Sequence, residues 1–430
     1  MCGYRHSAEV LKGLRTMKIK LPVSANARSV VAALKEAGFE AYIVGGAIRD
    51  LLLERTPKDF DIGCSATPEQ VRHLFGRKNA RIIGKRFRLT HVTFKGELFE
   101  VSTFRKAPQT GGQNERQFAN EEDLPENLIV SDNSFGTATE DAWRRDFTVN
   151  ALFYDPVEGE LYDHTGMGLE DIKSRTVRAI GEPVLRFEED PVRMLRALKL
   201  VGQFDFTLES ATENALFGSL ELLKHAAPSR LALELEKIFG SCYGDRHFKA
   251  FHDYGLLEYF LPEFNHAWDT PAMKRAMQML YERNCRLDEG RYRNSVSLAM
   301  ACVALPFVEQ ELNIEPGEVI PAKCNHAITK VLESIFLPLH MMIRLNLSAE
   351  KILFLQSIFD QKKCPKELFT SRSYPNAREL KIIRSAVDGI DPEQTDREWP
   401  LPQTACIRHA QQGTHKRRKR PKKSKESGNK

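Results

Sequence analysis

The hydrophobic and polar positions of Ala27–Gly38 (ARSVVAALKEAG) recur with a helical period and the run closes on glycine, which predicts a helix. Ala41–Val44 (AYIV) follows as a short apolar run of the kind a buried strand uses. Strand character returns at Phe60–Gly63, Val92–Phe94, Leu98–Thr103 and Ala151–Tyr154, between helical or turn-rich stretches, so a mixed sheet with covering helices is expected. Lys106–Ser134 is polar, rich in Gly, Asn and Glu, and has no clear period; it reads as a mobile insertion. From Glu170 onward the strand signal fades and amphipathic helical patterns run through Arg196, Leu235, Leu257, Leu298 and Leu353, with His252–Glu263 (HDYGLLEYFLPE) as one core helix. The fold class is therefore α+β, a mixed-sheet head followed by an all-α neck, body and tail. The expected segments are an N-terminal extension at 1–25, the head at 26–168, a helical neck at 169–265, a helical body at 266–403 and a disordered tail at 404–430.

Length and composition narrow the class. A chain of 430 residues holds two to four domains and buries a core without disulfides or structural metal. Its longest mainly apolar run, Ser297–Val308, falls short of the ~18 residues of a membrane span, so no membrane partner is expected. The 8 cysteines lie scattered from Cys2 to Cys406 without a Cys-x-x-Cys pair, which fits reduced thiols in a cytosolic setting. Met1–Lys20 lacks the apolar centre of a secretory signal; its Arg and Lys residues fit either an organelle transit peptide or a start at Met17.

The net charge of +5 is unevenly placed, because the stretch from Arg408 to Lys430 holds ten Lys or Arg against Glu426 alone and the remainder is net negative. The block Lys416, Arg417, Arg418, Lys419 and Arg420 repels itself and seeks polyanions, with nucleic acid the favoured partner and a merely solubilising tail the alternative.

Two segments carry candidate chemistry. In Val44–Leu53 (VGGAIRDLLL) a strand passes through Gly45 and Gly46 into a helix; paired glycines let backbone N–H groups approach an anion, and Arg49 adds positive charge one turn in. Ten residues on, Asp59-Phe60-Asp61 sets two carboxylates at i and i+2 of an expected strand, so both project from one face while Phe60 packs inward. Aligned carboxylates repel unless a cation lies between them, and paired divalent metals use such a set to hold a triphosphate.

The run Gly45–Asp61 resembles the signature of the class II nucleotidyltransferases, which comprise bacterial poly(A) polymerases and the CCA-adding enzymes. Arg144-Arg145-Asp146-Phe147-Thr148 resembles the family's Arg-Arg-Asp-Phe-Thr motif, and Glu189-Asp190-Pro191-Val192-Arg193-Met194-Leu195-Arg196 its Glu-Asp-x-x-Arg-x-x-Arg helix. The resemblance covers roughly Tyr42–Phe264. It implies that Asp59 and Asp61 bind Mg2+ and that Gly45, Gly46, Arg49 and Arg144 contact ATP. It also implies that Asp146 is the carboxylate beside the metal pair, with Glu100 on its strand as the competing choice. Asp190, Arg193 and Arg196 recur at spacing three on one helix face and would select the base; an exposed salt-bridge ladder is the plainer reading of that spacing.

Ile82–Val92 (IIGKRFRLTHV) resembles the stretch that distinguishes bacterial poly(A) polymerases from CCA-adding enzymes, and places Lys85, Arg86 and Arg88 as RNA contacts or as a solvated strand edge. Two departures stand out: the glycines of Asp163–Asp171 are separated by Met167, and Lys199 stands where CCA-adding relatives usually have arginine. The expected activity is addition of AMP from ATP to RNA 3′ ends in the cytoplasm, with RNA-decay proteins as further partners. The alternatives are a CCA-adding enzyme and an RNA-binding protein whose head has lost catalysis; the retained Asp59, Asp61 and Asp146 speak against the last.

Overall fold

Strand β2 (Ala41–Val44) lies in the middle of an eight-stranded sheet because every residue of AYIV is at least half-buried. The computed structural model describes residues 15–84, 88–106, 135–339, 341–362 and 368–401. The expectations for Lys85, Arg86, residues 107–134 and Lys416–Arg420 lie outside these residues.

The sheet takes in β1 (Arg15–Lys18), β2, β3 (Asp61–Cys64), β4 (Ala80–Ile83), β5 (Leu89–Phe94), β6 (Glu97–Thr103), β7 (Leu152–Asp155) and β8 (Glu160–Asp163), in the order β1-β8-β7-β2-β3-β6-β5-β4. Only β3 and β6 run parallel; the other neighbours are antiparallel. The two short strands β9 (Thr176–Val177) and β10 (Thr207–Leu208) pair separately.

Three expectations are corrected here. Arg15–Lys18 pairs with β8, Met17 opposite Leu161, so the sheet starts ahead of residue 26. All four residues are exposed, which removes the alternation that marks a strand in sequence. Phe60 is only half-buried and precedes β3, which opens at Asp61, so the strand starts one residue later than expected and Asp59 lies ahead of it. The run His252–Glu263 is not one helix: it breaks at Gly255, whose φ is +72°, into separate short helices.

Helix α1 (Ala25–Glu36) is capped by the Ser24 hydroxyl, which accepts from the Ala27 N–H, and buries Ala27, Val30, Val31 and Leu34 at helical spacing. Next come α2 (Gly46–Leu52), α3 (Pro68–Phe75) and α4 (Ala138–Trp143). The small faces of Ala138 and Ala142 let α4 settle on Phe104, Phe153 and Val44, forming the core beneath the segment that follows α4. Behind β8, the Asp163 carboxylate accepts from the Thr165, Gly166 and Leu169 N–H groups at 3.2, 3.0 and 3.1 Å. Gly166 has φ +73°, and a Cβ on Gly168 would stand 2.7 Å from the Thr148 carbonyl, so the glycines on either side of Met167 each meet a separate demand.

The helical part of the same unit holds α5 (Gly168–Lys173), α6 (Pro183–Glu189), α7 (Val192–Phe204), α8 (Ser210–Ser219), α9 (Pro228–Phe239), α10 (Gly244–Asp253), α11 (Leu257–Phe260) and α12 (Pro262–His266). The described residues within Met1–Trp268 and Pro338–His340 form this unit; those within Asp269–Leu337 and Met341–Lys430 form a second. The first unit thus takes in both the sheet and these helices. The second unit contains α13 (Pro271–Asp288), α14 (Val296–Glu311), α15 (Asn325–Phe336), α16 (Ile343–Asp360), α17 (Tyr374–Val387) and α18 (Pro392–Glu398). The apolar run Ser297–Val308 is the centre of α14, almost wholly buried. Arg384, also buried, is held by Asp360 at 2.7 Å and Glu309 at 3.3 Å.

His247 on α10 is 1 % exposed, and burial first, the Lys199 charge second, push its imidazole down to about 3. The native ring is therefore neutral, while the unfolded chain takes up a proton below its ordinary value of 6.5. Stability is fully present above that value and declines as pH falls from 6.5 toward 3, at up to ~1.4 kcal/mol per pH unit. Urea unfolding at pH 7 and pH 5 should show a loss of about 2 kcal/mol that is absent in His247→Gln; equal pH dependence in both proteins would contradict this.

Candidate active site

Register brings the candidate groups to one end of the sheet. Val44, the last residue of β2, stands opposite Asp61 on one side and Phe153 on the other, so the Gly45–Gly46 turn leaves the sheet between the start of β3 and the start of β7. The Gly45 N–H donates to the Leu152 carbonyl at 3.2 Å. On the far side of β3, Ile62 is paired with Val101 in parallel, and one step back along both strands makes Asp61 the neighbour of Glu100.

The carboxylates feel one another. Although the Asp61 side chain reaches solvent, burial pushes its carboxyl up to about 6, Asp59 and then Glu100 add repulsion, and Arg145 pulls the other way. Glu100 also faces His91 across the β5–β6 pair, with His91 Nε2 3.4 Å from Glu100 Oε1. No cluster of three or more His, Cys, Asp or Glu with metal-binding geometry occurs among the described residues. Two aspartates in a repelling set nevertheless match the share that protein carboxylates take around a hard divalent cation, the remaining positions being filled by water and phosphate oxygens. The residues fit a divalent metal.

Gly45 has φ +78°, and a Cβ there would lie 3.0 Å from Arg145 Nη1. The positive φ favours glycine, and a side chain there would also push the end of Arg145 aside. Arg49 is 9 % exposed. Its Nη1 donates to Asn150 Oδ1 at 2.7 Å, its Nε and Nη2 donate to Asp50 Oδ1 at 2.9 and 2.6 Å, and its Cζ stands 4.5 Å from the Phe204 ring centroid. Arg144 ends α4. Burial, then the charges of Arg105 and Arg145, push its guanidinium down to about 9, with Asp146 opposing. Positive charge crowded in this way favours an anion. The carbonyls of Arg144 and Arg145 accept from Arg186 Nη2 at 2.6 and 2.9 Å, which fixes the end of α4 against α6.

Asp146 does not join the carboxylates at β3. Its Oδ1 accepts from Arg193 Nε at 2.8 Å and its Oδ2 from Arg196 Nη1 at 2.6 Å. Burial alone would raise its carboxyl, but Arg196 and Arg193 hold it down at about 2. Between the two candidates for the acid beside the Asp59–Asp61 pair, the geometry therefore brings Glu100 to that pair and gives Asp146 to the arginines. The Glu-Asp-x-x-Arg-x-x-Arg run is also not one helix face: α6 ends at Glu189, Asp190 adopts an extended conformation, and α7 starts at Val192. Pro191 cannot continue the hydrogen-bond ladder of α6. Asp190 Oδ1 accepts from the Val192 N–H at 3.2 Å and Oδ2 from Arg230 Nη2 at 2.8 Å. Arg193 is buried, with Nη1 donating to the Arg186 carbonyl at 2.6 Å and to Glu189 Oε2 at 2.9 Å, which rules out the exposed-ladder reading.

Lys199 donates to Glu234 Oε2 at 2.8 Å. Lys199 and then Lys237 bring the Glu234 carboxyl down to about 2 against the effect of burial. Arg88, the described member of the basic trio, pairs with Glu69 near the surface. Arg145, Asn150, Arg186, Arg230 and Glu234 were not singled out from sequence. Arg145 lies inside the quoted Arg-Arg-Asp motif and Asn150 two residues beyond it, so both could have been found there; Arg186, Arg230 and Glu234 carry no local signal.

The model of the "Poly A polymerase head domain" matches residues 41–178, and that of the "Probable RNA and SrmB- binding site of polymerase A" matches residues 205–267. Poly(A) polymerase I of Haemophilus influenzae is 42% identical over 258 residues, 60% of this chain and 56% of that protein, so the match spans little more than half of that relative. Poly(A) polymerase I of Escherichia coli O6:H1 is 35% identical over 326 residues, 74% of this chain and 69% of that protein. The crystal structure of the Bacillus stearothermophilus CCA-adding enzyme in complex with CTP shares 27% identity at a TM-score of 0.57, covering 87% of this chain and 81% of that one. With the Asp59–Asp61 pair beside a glycine turn and relatives of this extent, the chain belongs to the nucleotidyltransferase family of the poly(A) polymerases and CCA-adding enzymes.

Proposed function

We propose that this chain is a poly(A) polymerase, adding AMP from ATP to RNA 3′ ends without a template and releasing pyrophosphate. The observation that carries the reading is the mutually repelling Asp59–Asp61–Glu100 set at the sheet end where the Gly45–Gly46 turn emerges. We assign Asp59 and Asp61 as ligands of magnesium, which when bound neutralises triphosphate charge and lowers the pKa of the RNA 3′-hydroxyl.

The chain's own residues supply the rest. Gly45 and Gly46 leave backbone unobstructed where the phosphates lie, and Arg49 and Arg144 bring positive charge beside them. Asp190 accepts from the amino group of the base, with Arg193 and Arg196 ordered behind it by Asp146. A carboxylate with a neighbouring guanidinium reads a donor followed by an acceptor. Adenine and cytosine both present that order on their pairing edge, whereas guanine and uracil present the reverse. The site thereby rejects GTP and UTP, and the choice between ATP and CTP rests on ring size. The superposition on a CTP-bound CCA-adding enzyme keeps that activity as the second reading.

The basic residues Lys416–Arg420, with Lys85, Arg86 and Arg88, would attract RNA phosphates without sequence preference, as suits an enzyme of general RNA decay in the cytoplasm working with other decay proteins. Among the described residues no helix is long and apolar enough to cross a membrane.

The test offers purified protein, with magnesium, ATP alone, CTP alone or both, on an unstructured oligoribonucleotide and on a tRNA lacking its 3′ end. Long tails from ATP alone on the unstructured primer are expected. Three residues added only to the tRNA, and only with CTP present, would make this a CCA-adding enzyme.

A further inference from the structure

Asn150 ends the short 3-10 turn Thr148–Asn150, between the Arg-Arg-Asp segment and β7. Its side-chain Oδ1 accepts from Arg49 Nη1 at 2.7 Å, and its main-chain carbonyl accepts from Arg145 Nη1 at 3.2 Å. Those two guanidiniums flank the glycine turn. A Cβ on Gly45 would meet Arg145 Nη1 at 3.0 Å, and one on Gly46 would meet Arg49 Nη2 at 3.3 Å. One residue thus holds both cations that lie against the Gly45–Gly46 turn, at the sheet end that carries Asp61.

We infer that Asn150 is a positioning residue that sets the Arg49 guanidinium against the Gly45–Gly46 turn and so shapes the cradle for the triphosphate; this rests on the nucleotidyltransferase reading above. The other restraints on Arg49 do not replace it. Asp50 is its chain neighbour and binds the Nε–Nη2 edge, and Phe204 covers one face of the guanidinium at 4.5 Å; both leave Nη1 unanchored. Among the described residues, only the Asn150 amide ties that nitrogen, across 101 residues of chain, to the turn that leads into β7. Losing the bond lets the planar cation turn about its Asp50 edge and removes a fixed donor from the turn. The neutral amide oxygen is suited to the task, since it orients the cation without cancelling the charge that a polyphosphate meets.

Asn150→Leu keeps the bulk and removes the acceptor, while the main-chain bond to Arg145 is untouched. In the full chain with magnesium, tripolyphosphate binding by calorimetry should weaken on the order of tenfold or more in Asn150→Leu, as expected for a hydrogen bond to a charged group. KM for ATP should rise by a similar factor with kcat changed less, and binding of adenosine, which lacks phosphates, should not change. Equal tripolyphosphate affinity in wild type and a folded Asn150→Leu overturns the inference. Should Asn150→Leu fail to fold, Asn150→Ser, too short to reach Arg49, carries the same readings. A wild-type protein that binds no tripolyphosphate with magnesium would refute the nucleotidyltransferase reading itself, a separate outcome.

Discussion

Asp61→Asn is expected to lower AMP incorporation on the order of a thousandfold while leaving the thermal unfolding temperature unchanged or raised. The catalytic loss follows from removing one of two carboxylates assigned to the metal, at the place where charge on the attacking and leaving oxygens must be offset. The absence of a stability penalty follows from the environment. Asp61 is held up at about 6 by burial, Asp59 and Glu100, so at neutral pH its charge opposes folding. Replacing it with a neutral side chain of the same shape relieves that repulsion. A metal titration on the same variant, with manganese as a spectroscopic substitute, should show weakened binding. Turnover within tenfold of wild type would remove Asp61 from the site, and a large fall in unfolding temperature would mean that its charge supports the fold.

Much of this site was legible in the sequence because its parts are local. A strand, two glycines, an arginine one turn later and an Asp-x-Asp ten residues on are read within Val44–Asp61, and register then confirms their proximity, with Val44 paired to Asp61. The fold was legible where periodicity was strong: α1 and the buried β2 were expected where they occur, and α14 is the expected apolar run. What escaped was either weakly patterned or distant. β1 has no buried face, and β4 has a mixed one. The role of Asp146 depends on arginines 47 and 50 positions away, and that of Arg186 on carbonyls 41 and 42 positions away. A spacing of three between Asp190, Arg193 and Arg196 suggested one helix face; Pro191 divides the run, and Asp190 meets Arg230 of α9 instead. Helical spacing predicts a shared face only while the backbone remains helical.

Asp146→Ala should destabilise the protein by about 3 kcal/mol at pH 7, because it strands positive charge that the fold has taken out of water. Arg193 is 5 % exposed and has its Nε on Asp146, while Arg196, more open, has Nη1 on the other oxygen. Arg193 retains Glu189 and the Arg186 carbonyl, which limits the loss; among the described residues Arg196 retains Glu234 at 3.7 Å and Asp190 at 4.0 Å. Asp146→Asn, which keeps one acceptor and the shape, should fall between. The pH dependence supplies an internal check. The Asp146 carboxyl is held at about 2 against an ordinary 3.8, so its contribution is complete above 3.8 and is lost as pH falls from there through 2. The gap between wild type and Asp146→Ala in urea unfolding should therefore be constant from pH 7 to about 4.5 and narrow below it. A gap under about 1 kcal/mol at pH 7 would mean that Glu189, Glu234 and Asp190 suffice for the two arginines, and that Asp146 is kept for the nucleotide rather than for the fold.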